Sequence, residues 1–358
     1  MNGVFEIKAS CRKKNLHIHT FSVIPITMRA GMIEWIDNTS PLNNIYGPMG
    51  HKGSQKQYEK VSQFIKTHGG GAPEDYAKKF KAMTARRSSD TTFDEYQKMI
   101  SDFNSSSFRN YLRSLASSSE SFIHLRSKIM SSLATINVAT DVLGIGDRHL
   151  GNFLLRRTDC DIIPIDFGHT FGSATFLLPV PELIPFRNSS QIMAIMAPHP
   201  NCNASLHSYM RVAFKAVVSE KQLLLSSMRT YLADPILEWR QKTKSNGSTR
   251  GLAQSFASLK IKSQNTSCLH IVKKKLACES PFEIIIENVT KNRNPIAARC
   301  KHDIIRLIKM LSKEYNENIH DSLNSSGDDI DAYISQLLFI ASDMRVHYCS
   351  WVGLALWC

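Results

Sequence analysis

A helical run that stops on glycine and turns at once into two short apolar runs constrains this fold more than any other stretch of the chain. Residues 106–143 carry apolar side chains at helical spacing with serine-rich interruptions, and Gly144 and Gly146 end the run. Beyond them stand Phe153-Leu154-Leu155 and Ile162-Ile163-Pro164-Ile165, separated by the polar turn Arg156–Asp161. Short apolar runs around a polar connection read as the two strands of a hairpin. Antiparallel pairing sets the start of one strand beside the end of the next. Asn152 and Asp166 stand at those two positions, and Asp147 lies five residues before Asn152, on the loop that feeds the first strand.

These residue types suggest a chemistry. A neutral amide oxygen and a carboxylate held side by side make a hard-oxygen site suited to Mg²⁺. A loop carboxylate facing the same pocket without binding the metal suits a catalytic base or an orienter of a substrate hydroxyl. Phosphoryl transfer needs both parts. The spacing from Asp147 to Asn152 equals that of the protein-kinase catalytic loop, and Asp166-Phe167-Gly168 supplies a second metal carboxylate. A lone DFG is often chance and an isolated Asp–Asn pair is usually turn chemistry. Their order, spacing and strand context together are specific.

With 358 residues the chain can build one large domain or two ordinary ones, and 42% hydrophobic against 21% charged content favours a packed core over disorder. No apolar run is long enough to span a bilayer, and the N-terminus, MNGVFEIKASCRKKNLH, lacks the layout of a signal peptide. The expectation is a soluble intracellular protein. The 8 cysteines include no CxxC pair, which suits a reducing compartment and argues against a disulfide framework or a zinc site. A net charge of +13 favours acidic partners such as nucleotide phosphates, though a merely soluble basic surface accounts for it equally well.

Elsewhere, residues 15–36 predict two strands, the second ending near Trp35. Polar, glycine-bearing loops are expected between Asn43 and Gly71, and helices over 92–104, 205–240 and 295–316. Residues 241–267 are a Ser/Lys-rich loop or linker.

The loop reads Asp147-Arg148-His149, reversed relative to the His-Arg-Asp of ordinary protein kinases. With GIGDRHLGN and IDFGH it resembles the phosphatidylinositol 3-kinase-related kinases. VIPITMRAGMIEWIDNT resembles that family's hinge. The last segment is similar to its FATC tail through Leu337, Ala341, Asp343, Trp351, Gly353 and Trp357, with Leu354, Leu356 and Cys358 departing from the pattern.

The resemblance implies an α+β, protein-kinase-like fold. A remnant of the β-rich small lobe and hinge would occupy 1–36, and a mainly helical large lobe 37–280, with its catalytic loop at 144–152 and activation segment at 166–187. A helical connector over 281–326 and the FATC tail over 327–358 complete it. It also implies ATP and Mg²⁺ as cofactors. Asp147, Arg148 and His149 become the catalytic group, with His149 assisting the proton or stabilising charge on the phosphoryl. Asn152 and Asp166 become the metal ligands. Glu34, Trp35 and Ile36 would hold adenine, above Leu154 and Ile165 as the pocket floor. For Trp35, Leu154 and Ile165 plain core packing is the bland alternative, and for His149 a loop histidine bonded to backbone.

The segment GHTFGSATFLLPVPELIPFR has no Lys or Arg before Arg187, which suits a peptide acceptor better than an anionic inositol lipid. By resemblance the expected enzyme is a nuclear serine/threonine kinase of non-homologous end joining, preferring Ser or Thr followed by Gln. It would act on protein substrates beside DNA-end-binding repair proteins, with no sequence-specific DNA contact and no membrane. A lipid kinase and a non-catalytic kinase-like binding module are the alternatives. Residues 1–36 show no glycine-rich phosphate loop, and Lys8 reads as a surface residue, so a fragment with weak ATP binding and negligible turnover is expected.

Overall fold

The computed structural model describes residues 1–27, 30–46, 59–60, 63–64, 67, 73–85, 91–101, 105–195, 202–232, 268–292, 294–321 and 328–350. The fold is mainly helical with a small β part. Short helices α1 (Asn2–Ile7) and α2 (Ala9–Lys13) precede an antiparallel pair, β1 (Val23–Pro25) and β2 (Gly31–Ile33). A three-stranded antiparallel sheet follows in the order β3 (Thr39–Pro41), β4 (Phe153–Arg156), β5 (Ile162–Pro164). The helices are α3 (Leu42–Tyr46), α4 (Pro73–Thr84), α5 (Thr91–Ser101), α6 (Ser107–Leu115), α7 (Ser119–Leu143), α8 (Ser173–Phe176), α9 (Ser190–Ile195), α10 (Cys202–Ser219) and α11 (Lys221–Leu232). After a helical run at 268–276 come α12 (Pro281–Lys291), α13 (Pro295–Asp321), α14 (Asp329–Ser342) and α15 (Met344–Cys349). Among the described residues no helix is long and apolar enough to cross a membrane.

The expected single helix over 106–143 is in fact two. Ala116 turns extended, and Ser118 (φ −151°, ψ 169°) caps α7 by accepting the Ser121 N–H at 3.1 Å. A serine satisfying an orphan N–H of the first turn competes well with continued helix. Every residue of α7 from Ile129 to Val142 is buried, so the helix lacks a single apolar stripe and runs through the centre of the core. Its serines and threonines dock neighbours. Ser132 Oγ donates to Asp161 Oδ1 and accepts the Ile162 N–H, both at 3.0 Å, and Thr135 Oγ1 donates to His17 O. The middle of α7 is thereby pinned to the start of β5 and to the segment before β1, and α7 and β5 carry the candidate site.

The terminal helices belong to the same hydrophobic core as the rest, which runs from Phe5 to Cys349. On α14, Tyr333 stacks on Phe214 of α10 with ring centroids 4.8 Å apart, and its hydroxyl donates to Asp141 Oδ2 at 2.7 Å. Lys275 Nζ lies 3.3 Å from Asp141 Oδ1 and also donates to the Asp141 carbonyl. On α15, Tyr348 packs against Phe93 and Tyr96 of α5. Of the proposed tail residues, Leu337 and Ala341 are buried and Asp343 caps α15, accepting the Arg345 and Val346 N–H groups. Trp351, Gly353, Leu354, Leu356, Trp357 and Cys358 lie outside the described residues, as do most of the expected loops within 43–71 and all of 241–267. Lys8 pairs with Glu220 Oε1 at 2.7 Å on the surface, as read.

Buried His347 donates its Nε2–H to Ala341 O at 2.7 Å. Burial, reinforced by the Arg187 guanidinium, pulls its imidazole down to about 4. The unfolded chain takes up that proton near pH 6.5 and the native state does not, so this contribution is complete above pH 6.5 and lost as pH falls towards 4. Urea titrations should show a loss of about 3 kcal/mol across that window. The His347→Gln variant, which keeps the donor without the titration, should lack that loss. Equal losses in both proteins would remove this explanation.

Candidate active site

The candidate catalytic loop starts where α7 ends. Gly144 caps the helix in the left-handed region (φ 59°). From there the chain lies against the segment after Asp166, which donates Phe171 N–H to Leu143 O and Gly172 N–H to Gly144 O, while Gly146 N–H donates to His169 O. The approach is too close for side chains. A Cβ on Gly144 would sit 2.4 Å from Gly172 N, and one on Gly146 would sit 2.3 Å from the Ala174 Cβ and 2.5 Å from Glu182 Oε2. Glycine is the one residue type that fits at these positions.

Asp147 is also left-handed (φ 59°), a conformation aspartate tolerates better than most. Its N–H donates to Glu182 Oε2 at 2.7 Å and its carbonyl accepts Asn152 Nδ2 at 2.8 Å. The Asp147 carboxylate makes no hydrogen bond among the described residues. Asn152, buried at the end of a 3₁₀ turn (Leu150–Asn152), spends its amide nitrogen on Asp147 and leaves Oδ1 without a protein donor. His149 caps that turn, its Nδ1 accepting the Gly151 N–H at 3.1 Å. That bond assigns the proton to Nε2, so the ring presents a donor on its outer side.

The hairpin is present, with β4 and β5 antiparallel and Phe153 opposite Pro164. Its register corrects the expected pairing by one residue. Ile165 donates its N–H to Asn152 O at 3.0 Å, so Ile165 stands across from Asn152 and Asp166 comes one step later. Asp166 then leaves the strand with φ 57°, exposed, its Oδ1 accepting the Gly168 N–H at 3.1 Å. The offset belongs to the whole ladder, in which Leu155 faces Ile162 and Arg156 N–H donates to Asp161 O, so the connection between the strands sets it. Among the described residues no three His, Cys, Asp or Glu cluster as a metal cage. An open amide oxygen and one carboxylate fit a Mg²⁺ that takes its other ligands from water and phosphate.

The expectation for Arg148 needs correction. Its side chain is fully buried, with Nε donating to Gly146 O at 2.9 Å, Nη1 to Ile165 O at 2.7 Å and Nη2 to Asp166 O. Its guanidinium also lies over the Phe153 and Phe167 rings, 5.8 and 5.7 Å from their centroids. Arg148 therefore fastens the loop 144–152 to the end of β5, its side chain sealed from solvent. Burial lowers its pKa, and Glu182, Asp147 and Asp166 oppose that shift.

At the expected hinge, Trp35 is 85% exposed. Glu34 is paired within the β1–β2 unit: its N–H donates to Ser22 O, and its Oε2 accepts the Ser22 N–H, which with the Ser22 side chain holds the carboxyl below its usual range. Ile36 O accepts Thr39 Oγ1. The Glu34 N–H is therefore taken up within the β1–β2 pair. Leu154 and Ile165 are half-buried, while Phe153 and Leu155 alternate with Leu154 into the core. Glu182 is a site residue that sequence reasoning passed over. The one carboxylate in the apolar, proline-rich stretch 177–186 is its signal, since an acid in such a run is either exposed or buried for a purpose.

Comparison with known proteins agrees with this fold. Residues 1–241 match the family of phosphatidylinositol 3- and 4-kinases. The chain belongs to that family. It is 28% identical over 376 residues to the DNA-dependent protein kinase catalytic subunit of Dictyostelium discoideum, covering 99% of this chain and 8% of that protein. The same-named protein of Gallus gallus is 33% identical over 247 residues, covering 67% of this chain and 6% of the relative. The chain therefore spans less than a tenth of the length of these curated relatives. A solved structure, the complete CtTel1 dimer with C2 symmetry, superimposes with a TM-score of 0.54 at 19% identity, covering 100% of this chain and 11% of that one, a likeness that bears on fold alone. These relatives put the chain with the PI3-kinase-related protein kinases, and they support a kinase role.

Proposed function

We propose that this chain carries the metal and acceptor side of a serine/threonine protein kinase site, transferring the γ-phosphoryl group of ATP to Ser or Thr followed by Gln in nuclear DNA double-strand-break repair by end joining. One observation carries the reading. Asp147 and Asn152 share a hydrogen bond that leaves the carboxylate of one and the amide oxygen of the other without partners among the described residues, and Asn152 stands opposite Ile165, the residue before Asp166. In this reading Asp147 receives the proton of the acceptor hydroxyl, and His149 donates Nε2–H to a phosphoryl oxygen. Asn152 and Asp166 hold the metal, which when bound neutralises phosphate charge. Trp35, Leu154 and Ile165 offer apolar surface to adenine. Absence of Lys and Arg from 167–186 favours peptide over inositol lipid. The relatives' printed name supports a DNA-dependent setting with protein substrates, and DNA-end-binding repair proteins are the partners this reading expects.

Binding calorimetry on the 358-residue chain tests the metal assignment directly. Mg²⁺-dependent ADP binding should weaken at least about tenfold in Asp166→Ala, with only a small change in the thermal midpoint, because the side chain is exposed and gives up one local hydrogen bond from Gly168 N–H. Equal affinity in the two proteins would sink the metal site. Transfer to phosphatidylinositol with none to a Ser-Gln peptide, measured on the natural full-length kinase, would overturn the protein-substrate part.

A further inference from the structure

We infer that Glu182 is a positioning residue for this phosphoryl transfer: its buried carboxylate grips the Asp147 backbone N–H and sets the direction of the Asp147 carboxylate, linking the terminal helices to the catalytic loop. The inference rests on the kinase reading above. Glu182 is 6% exposed, and of its two oxygens Oε2 accepts the Asp147 N–H at 2.7 Å. The other, Oε1, makes no hydrogen bond and lies 3.8 Å from Arg187 Nη1. Among the described residues no other donor bonds Oε2, so a single N–H⋯O contact carries the connection there.

Geometry explains why it matters. Asp147 holds φ 59°, which costs an L-residue about 1–2 kcal/mol relative to the right-handed region. Only contacts on its two peptide groups keep it there: the N–H on Glu182 and the C=O on Asn152. Losing the first lets the peptide before Asp147 rotate, and the carboxylate swings with it. Gly146 shows how closely this contact is built, since a methyl group there would displace Glu182 Oε2.

Glu182 is in turn fixed from both sides. Its N–H donates to Ala174 O and its carbonyl accepts Thr175 Oγ1. Six residues on, Asn188 donates its N–H to Ala341 O at 2.9 Å and its Nδ2 to Ser342 Oγ at 3.2 Å, at the junction of α14 and α15. A displacement of α14 and α15 therefore reaches Asp147 through Asn188, Arg187 and Glu182. The carboxyl can accept an N–H through Oε2 whether or not it is ionised, so an amide oxygen at the same place can serve as well.

The test compares Glu182→Ala and Glu182→Gln. On the 358-residue chain, the three-bond HN–Hα coupling of Asp147 reports its φ without any turnover. Glu182→Ala should lose the left-handed value and raise the Asp147 amide exchange rate at least about tenfold, while Glu182→Gln keeps both. In the natural full-length kinase, Glu182→Ala should lower kcat at least about tenfold with the KM for ATP unchanged, and Glu182→Gln should restore most of it. A general loss of structure would instead raise KM, lower the thermal midpoint and leave Glu182→Gln as impaired as Glu182→Ala, and that pattern overturns the inference. An unchanged Asp147 coupling in Glu182→Ala overturns it equally. A wild-type kinase with no phosphotransfer but an Asp147 coupling that follows Glu182 would refute the kinase reading, and with it the role in transfer, while leaving the contact in place.

Discussion

Arg148→Ala should destabilise the protein by about 3–5 kcal/mol, the cost of stripping a satisfied buried charge from its partners. The substitution removes the donors to the carbonyls of Gly146, Ile165 and Asp166 at once. Each carbonyl left buried without a donor costs about 1–3 kcal/mol, and the cavity of the missing guanidinium adds to that. Arg148→Lys should recover only part of the loss, because one ammonium cannot reproduce a planar fork that spans two loops. Urea unfolding of the three proteins measures this. A difference below about 1 kcal/mol between wild type and Arg148→Ala would mean that the guanidinium is not the fastener described. Metal-dependent nucleotide binding should fall with it even where the fold survives, since Asp166 takes its place from the carbonyl that Arg148 holds.

Lys275→Met should cost a comparable 3–5 kcal/mol. It leaves the Asp141 carboxylate, 3% exposed, with the Tyr333 hydroxyl as its remaining side-chain donor. The double variant Asp141→Asn with Lys275→Met removes both charges and should regain most of the loss, so the double-mutant cycle should show a coupling of about 2 kcal/mol or more. Additive effects would show that the two side chains do not form a pair. Because Asp141 sits three residues before the Gly144 cap, weakening this cluster should also loosen the start of the catalytic loop. Amide exchange at Gly144 and Ile145 reads that directly, since both N–H groups are tied to Thr140 or Asp141 carbonyls.

The hairpin was legible because its signals are local. Phe153 and Leu155 face the core while Leu154 does not, a period of two that any antiparallel strand imposes. The glycine stop at Gly144 was legible for the same reason, since a left-handed cap has one preferred residue. The break at Ser118 could have been read from its capping chemistry, but the apolar spacing on either side masked it. The register was missed by one residue because the connection after Arg156, whose N–H donates to Asp161 O, sets it, and the lengths of the apolar runs do not show that.

Roles that depend on distant partners were not legible at all. Arg148 stands in a motif whose neighbours are catalytic by resemblance, and nothing near it in sequence says that its side chain is buried. That follows from carbonyls 17 and 18 residues away and from rings on both sides. Glu182 reads as one acid in an apolar run until the fold lays that run against Asp147, 35 residues earlier in the chain. Trp35 was assigned to adenine by its place in a motif, and its exposure of 85% follows from what packs around the β1–β2 pair.

By itself, then, the order of residues determined the family, the hairpin and the identities of the groups that could do chemistry, because periodicity, glycine stops and motif spacing act over a few residues. Which groups face a substrate and which are sealed in as fasteners was decided only by tertiary packing. Burial of a charge depends on the donors and acceptors that the rest of the chain brings to it, and these come from α14, β5 and the segment around Glu182, remote in sequence from the loop they hold.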